Sequence, residues 1–283
     1  MTETPASVRK EIKIFLGLTI ALTAAAYIPL VASYRVGGTF ALGAMLALVW
    51  APGIAALVTR YHYHEEIYGM GWGWGESRYQ ALAFLLPLAY GAVAYGGIWL
   101  TGYATFEGET LGAMFSLDYL HFLFVFLLSR ILLAAGEEIG WRGFLVPQLA
   151  KLTDFTRMSL ISGAVWTVWH YPFVIFAEGR LMGIPLLSLE AAYTLCCFTI
   201  VGMSATITMN WLRLKSGSLW TAVLFRAGHA LFLLGLFQPM TRGSANVWYL
   251  IGEYGGVLAV ANAIIAFFFW RLRDQLPDTR IEL

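Results

Sequence analysis

Eight long apolar runs constrain this chain more than any other feature; they cover approximately residues 14–34, 40–58, 79–100, 119–148, 158–177, 187–211, 218–238 and 247–270. A helix needs about twenty such residues to cross the roughly 30 Å hydrocarbon core of a bilayer. Backbone polar groups in lipid must also be satisfied internally, which helices achieve. The runs therefore predict an all-α integral membrane protein, with about eight transmembrane helices in a bundle. Of the 283 residues, 59% are hydrophobic and 12% charged, about half the charged share of ordinary soluble domains. Eighteen Lys+Arg face seventeen Asp+Glu, so no basic field invites nucleic acid, and membrane lipid is the expected surround. Cys196 and Cys197 are neighbours in an apolar run, which excludes a disulfide framework and a cysteine zinc site.

Cytoplasmic loops collect Lys and Arg. With the N-terminus inside, thirteen of the eighteen fall on the cytoplasmic side, among them Arg9, Lys10, Lys13, Arg142 and Arg213. Only Arg35, Arg180 and Arg242 fall opposite. This bias predicts a multi-pass protein with both termini cytoplasmic. No small-residue cleavage site follows the basic start, so the first run reads as a retained helix. The two halves share no motif, and 1–283 reads as a single membrane domain. The stretch from Arg60 to Arg78, RYHYHEEIYGMGWGWGESR, reads as a solvated loop. A surface metal site at His62 and His64 is the lesser reading.

A charge inside a span costs at least about 2.5–3.5 kcal/mol and is by default a candidate site. The fourth run holds Arg130, then Glu137, Glu138 and Arg142 within GEEIGWRG; the fifth holds His170 within WTVWHYP; the seventh holds Arg226 and His229 within FRAGHA. At about 1.5 Å of rise per residue, His170 lies about 18 Å from its cytoplasmic helix end, and His229 and Glu137 about 16 Å from theirs. One carboxylate and two imidazoles thus meet at one depth, which predicts a polar cavity inside the membrane. Arg142 follows Glu138 by four residues and shares its helix face, so the two can pair. Glu137 points about 100° away and is left free, with Arg130 two turns earlier on the same side. Glu190, Glu253 and Asn262 read as packing or interfacial residues. His121, about 24 Å along the helix from Glu137, is too far to join.

Water activation is the chemistry such a set can perform. A buried glutamate can act as a general base, a neighbouring imidazole can share the proton, and donors aimed at an oxyanion would complete an acyl-transfer site. Neither G-x-S-x-G nor H-E-x-x-H occurs, which disfavours a serine hydrolase and an ordinary zincin. Hydrolysis of a peptide bond within or beside the membrane fits best.

At these residues the sequence resembles the CPBP family of CAAX proteases and bacteriocin-processing or immunity proteins, which includes the type II CAAX prenyl endopeptidases. The family pattern is E-E-x-x-x-R, F-x-x-x-H and H-x-x-x-N on successive helices of an eight-helix fold. The first motif stands here as Glu137, Glu138 and Arg142, and the second as Trp166 and His170. The resemblance covers about 119–241, a CPBP-like catalytic core. Its third motif departs: Arg226 stands at the histidine, Ala230 at the asparagine, and His229 matches an internal histidine. The resemblance implies an intramembrane endopeptidase in which Glu137 and His170 activate water on a membrane peptide or lipidated-protein substrate. Arg226 and His229 would then supply oxyanion donors. In the family's metalloprotease description Glu137, His170 and His229 would be the ligands of a divalent metal such as zinc; the metal-free mechanism is slightly favoured. Two other classes stay open: a catalytically impaired relative that binds membrane peptides or confers immunity, and a proton-coupled transporter.

Overall fold

The computed structural model describes residues 3–33, 38–175 and 188–281, and among them the backbone is almost wholly helical. Arg35, Arg180 and the residues where the fifth and sixth runs meet the intervening loop (176–177 and 187) lie outside the described residues. Among the described residues, seven helical stretches are long and apolar enough to cross a membrane: Pro5–Leu30, Leu42–His64, Ser77–Leu100, Leu117–Ala150, Leu189–Ser216, Trp220–Phe237 and Trp248–Gln275. The protein is a multi-pass membrane protein. Eight spans were expected, and the difference is the run 158–177. It forms helix α7 (Phe155–Phe173) but is not one of the seven. Ser159, Ser162 and Thr167 are buried within it; this helix packs polar groups against its neighbours instead of presenting an apolar face all round.

Helices α1 (Pro5–Ser33) and α2 (Gly38–His64) pack on each other, and α2 also packs on α5 (Leu117–Glu138). The α2–α5 crossing is close because glycines face it. A Cβ on Gly136 would lie 2.7 Å from the Trp50 ring, and one on Gly140 2.6 Å from Pro52, backbone and ring alike. Glu137 and Glu138 therefore sit on a helix packed closely against α2. Directly after them the chain winds as a π-helix, Ile139–Leu145, before α6 (Val146–Ala150). Such π turns often occur at functional sites. Asp154 then caps α7, accepting the Arg157 backbone N–H at 3.0 Å, which leaves its carboxyl below the usual range.

Helix α8 (Leu189–Ser216) ends at Gly217, whose φ of +70° suits the left-handed turn into α9 (Trp220–Phe232). A second π turn, Leu233–Phe237, closes α9, and α9 packs on α3 (Ser77–Leu100) and α5. The two-residue strands β1 (Thr105–Phe106) and β2 (Thr241–Arg242) pair antiparallel, Thr105 opposite Arg242. The last spanning stretch is broken between α10 (Trp248–Ile251) and α11 (Gly256–Arg271) by the turn at 252–255.

The reading of 60–78 as a solvated loop holds for much of the stretch, where 65–69 and 73–78 are exposed, and is corrected at its start and at its docking points. Helix α2 continues to His64, and the rest folds back onto the protein at 70–72. Met70 is buried in the same apolar cluster as Phe144, the Gly71 carbonyl accepts the Leu219 N–H at 2.9 Å, and the Trp72 carbonyl accepts the Trp220 indole N–H at 2.8 Å. Its glycines allow this, since a Cβ on Gly71 would lie 2.6 Å from the Arg213 guanidinium. His64 is not left for a metal either: its Nε2 lies 3.1 Å from Glu11, which also accepts from Gln148 at 2.8 Å.

Candidate active site

Helices α5, α7 and α9 and the break before α11 surround a cavity of about 350 Å³, lined among others by Glu137, Trp166, His170, Arg226, His229 and Ala230. Glu137, His170 and Arg226 come into direct contact. Arg226 Nη2 donates to Glu137 Oε1 at 3.0 Å, and Arg226 Nη1 lies 2.7 Å from Oε2. His170 Nε2 is 3.4 Å from the same Oε2. The expectation that Glu137 is left free is therefore corrected: the arginine standing at the third-motif position holds it. Even so, Oε2 is buried and accepts no hydrogen bond of good geometry.

His170 is oriented from behind. Its Nδ1 is 2.9 Å from the Trp166 carbonyl, one turn earlier. A carbonyl only accepts, so Nδ1 carries the hydrogen, and in the neutral ring Nε2 presents its lone pair beside Glu137. The Trp166 ring packs on His170 with 4.0 Å between centroids, and Arg226 sits over Trp166 at 5.6 Å. The aromatic residue of the second motif thus touches both the imidazole and the guanidinium.

His229 lines the same cavity, but its Nδ1 is hydrogen-bonded to the Tyr90 hydroxyl of α3. Nothing in the spacing of motifs pointed to Tyr90, because its helix holds no charge within the membrane. When Tyr90 donates, Nε2 carries the ring hydrogen and becomes a donor. Arg130 also lines the cavity, stacked on Phe126 at 4.5 Å, with an Nε that makes no hydrogen bond.

Glu138 and Arg142 lie beneath. Arg142 Nη1 donates to both Glu138 oxygens at 3.0 and 3.1 Å, its Nε to Asn210 Oδ1 at 3.3 Å, and its Nη2 to Thr206 Oγ1 at 3.0 Å. Asn210 in turn donates to Ser159 and Ser162 of α7. Arg213 Nε donates to the Arg142 carbonyl at 2.8 Å. Arg142 and Arg213, both read as cytoplasmic-side charges, are thus buried inside the bundle, because each meets an acceptor that hydrocarbon lacks. Arg226 Nη1 reaches Glu138 Oε1 at 3.3 Å, which ties the two layers together.

Glu253 was read as a packing or interfacial residue, yet it also lines the cavity. The helix break displaces it from a regular face, and a count along a continuous helix could not place it. Asn262 does pack: it is buried and its amide donates to the Leu258 carbonyl at 2.9 Å. The residues present do not fit a divalent metal. The guanidinium of Arg226, a permanent cation, sits on the carboxylate such an ion would need. Among the described residues, no group of three His, Cys, Asp or Glu is arranged to hold one.

The part of the chain that holds these residues is similar to known proteins. Residues 119–232 match the sequence model described as Type II CAAX prenyl endopeptidase Rce1-like. The chain is also 30% identical over 158 residues to the CAAX prenyl protease 2 of Methanococcus maripaludis. That match covers 55% of this chain and 53% of the relative, so the chain spans about half the length of the curated relative it matches.

Proposed function

We propose, from the match of residues 119–232 to the Rce1-like type II CAAX prenyl endopeptidase model and the 30% identity to an archaeal relative, that the chain is a member of that family and an intramembrane endopeptidase hydrolysing peptide bonds of membrane-associated peptides or protein C-termini. The contact of Glu137 with His170 across α5 and α7, 3.4 Å between Oε2 and Nε2, carries this reading. A water admitted between α5 and α7 would sit against Glu137 Oε2, a buried oxygen without a well-formed hydrogen bond, and the lone pair of His170 Nε2. Either atom takes its proton as the oxygen attacks the scissile carbonyl carbon. Arg226 has donors beyond those it gives to the two glutamates, and His229 Nε2 supplies another; both can stabilise the developing oxyanion. Glu138 and Arg142 act behind them by fixing the helix that bears Glu137. The catalytic core is 119–241, the cavity lies within the bilayer, and both termini are cytoplasmic.

The test is cleavage of an internally quenched, prenylated CAAX peptide in proteoliposomes, a probe chosen from the relative's described activity. Glu137→Ala and His170→Ala are each expected to slow turnover by about 10²–10⁴-fold; unchanged rates in both would refute the mechanism. A second reading rests on Arg226 and Ala230, where the family pattern has histidine and asparagine: a relative that binds membrane peptides without cutting them. A silent wild type that gains peptidase activity in the Arg226→His, Ala230→Asn double variant would favour this second reading.

A further inference from the structure

Peptide hydrolysis needs a proton delivered to the leaving amine as well as one removed from water. Glu137 is poorly placed to do both. Arg226 lies within ion-pair distance of both Glu137 and Glu138, so a permanent cation is committed to the carboxylate that would have to carry the proton across. A second carboxyl stands in the same cavity. Glu253 occupies the turn between α10 and α11, where a membrane span leaves its helical path. Non-helical backbone at membrane depth is tolerated where it lines a cavity, and broken helices of this kind mark binding sites in other membrane folds. Helix α10, which leads into the turn, is held by the Tyr193 hydroxyl, which donates to the Tyr249 carbonyl at 2.6 Å. Arg130, Arg226 and His170 line the same cavity as Glu253. Among the described residues none of them makes an ion pair with it, so no fixed cation holds it as an anion.

We propose that Glu253 is the proton donor to the leaving nitrogen in this cavity; the assignment rests on the endopeptidase reading above. The water oxygen bonds to the scissile carbon while its proton passes to the Glu137–His170 pair. The C–N bond then breaks as the Glu253 carboxyl gives its proton to the departing nitrogen. The proton held by the pair returns through cavity solvent to the Glu253 carboxylate, so one water is consumed and one acid and one amine are formed. This divides between two carboxyls a task that one unpaired glutamate would perform alone, and it follows from the presence of Arg226.

The test compares two probes in proteoliposomes: the prenylated CAAX peptide, and the same peptide with its scissile amide replaced by an ester. An alkoxide leaves with far less need of a proton than an amine does. Glu253→Gln is expected to lower kcat on the amide by about 100-fold or more with KM within about twofold. Its rate on the ester should stay near that of the wild type, which also shows that the variant folds. Glu253→Asp, which keeps a carboxyl, should recover part of the amide rate. Full amide activity in Glu253→Gln alongside a silent Glu137→Ala overturns the role of Glu253 and leaves water activation standing. Equal loss on amide and ester also overturns it, since a structural role would act on both. A wild type silent on both probes removes the endopeptidase reading, and this one with it.

Discussion

Glu137 and Glu138 are consecutive residues of one helix, and each meets an arginine, yet their surroundings differ. The Glu138 side chain is 0% exposed and that of Arg142 1%; both Glu138 oxygens and all three guanidinium nitrogens have partners. Across the helix, Arg226 is 24% and His170 13% exposed, and Glu137 Oε2 receives no well-formed hydrogen bond. The closed pair behaves as a scaffold, because a fully satisfied buried network fixes one arrangement. The open pair keeps lone pairs and donors in reserve, and that is where a substrate and water can be accepted. Identical residue types acquire different roles from how completely the neighbouring helices satisfy them.

Stability measurements would test this contrast most directly. Arg142→Ala should have the largest effect, about 3–5 kcal/mol, since it strands a buried carboxylate; thermal unfolding in detergent reads it, and a small loss would mean the lower layer is not a scaffold. Arg226→Ala should cost less, about 1–3 kcal/mol, because Glu138 keeps Arg142 while Glu137 borders the cavity. If the two variants were equally destabilised, the division into closed and open layers would fail. Asp154→Ala, far from both layers, should lose the N-cap of α7 and about 1 kcal/mol. The Arg157 N–H depresses the Asp154 carboxyl in the folded state. Its contribution is therefore present above the unfolded value of about 3.9 and is lost as pH falls through the folded value. A pH titration of unfolding, wild type against variant, measures the difference, which should vanish at the acid end.

Much of the architecture was legible in the chain. Apolar runs of spanning length predicted six of the seven spans closely, and the charges inside them drew attention to Glu137, His170, Arg226 and His229. The i,i+4 spacing of Glu138 and Arg142 announced their contact. What escaped was whatever depends on helix-to-helix distance. Arg226 lies eighty-nine residues from Glu137, and no periodicity says that their side chains meet. Tyr90 was invisible because its helix carries no charge within the membrane. Glu253 was misplaced because the broken backbone before α11 ends the regular count, and the loop at 60–78 was misread at its docking points because polar composition does not reveal glycines that allow close docking.

The sequence by itself determined the membrane as solvent, the helical class, and which ionisable groups need an explanation, because hydrocarbon penalises every charge and every unpaired backbone group regardless of fold. Only the tertiary structure decided which arginine answers which glutamate, that Trp166 orients His170, and that a second carboxyl joins the cavity. Those outcomes depend on ångström-scale approaches, set at Gly136 and Gly140 and at the turn of 252–255, and pairing energies in a low-dielectric interior change steeply over such distances.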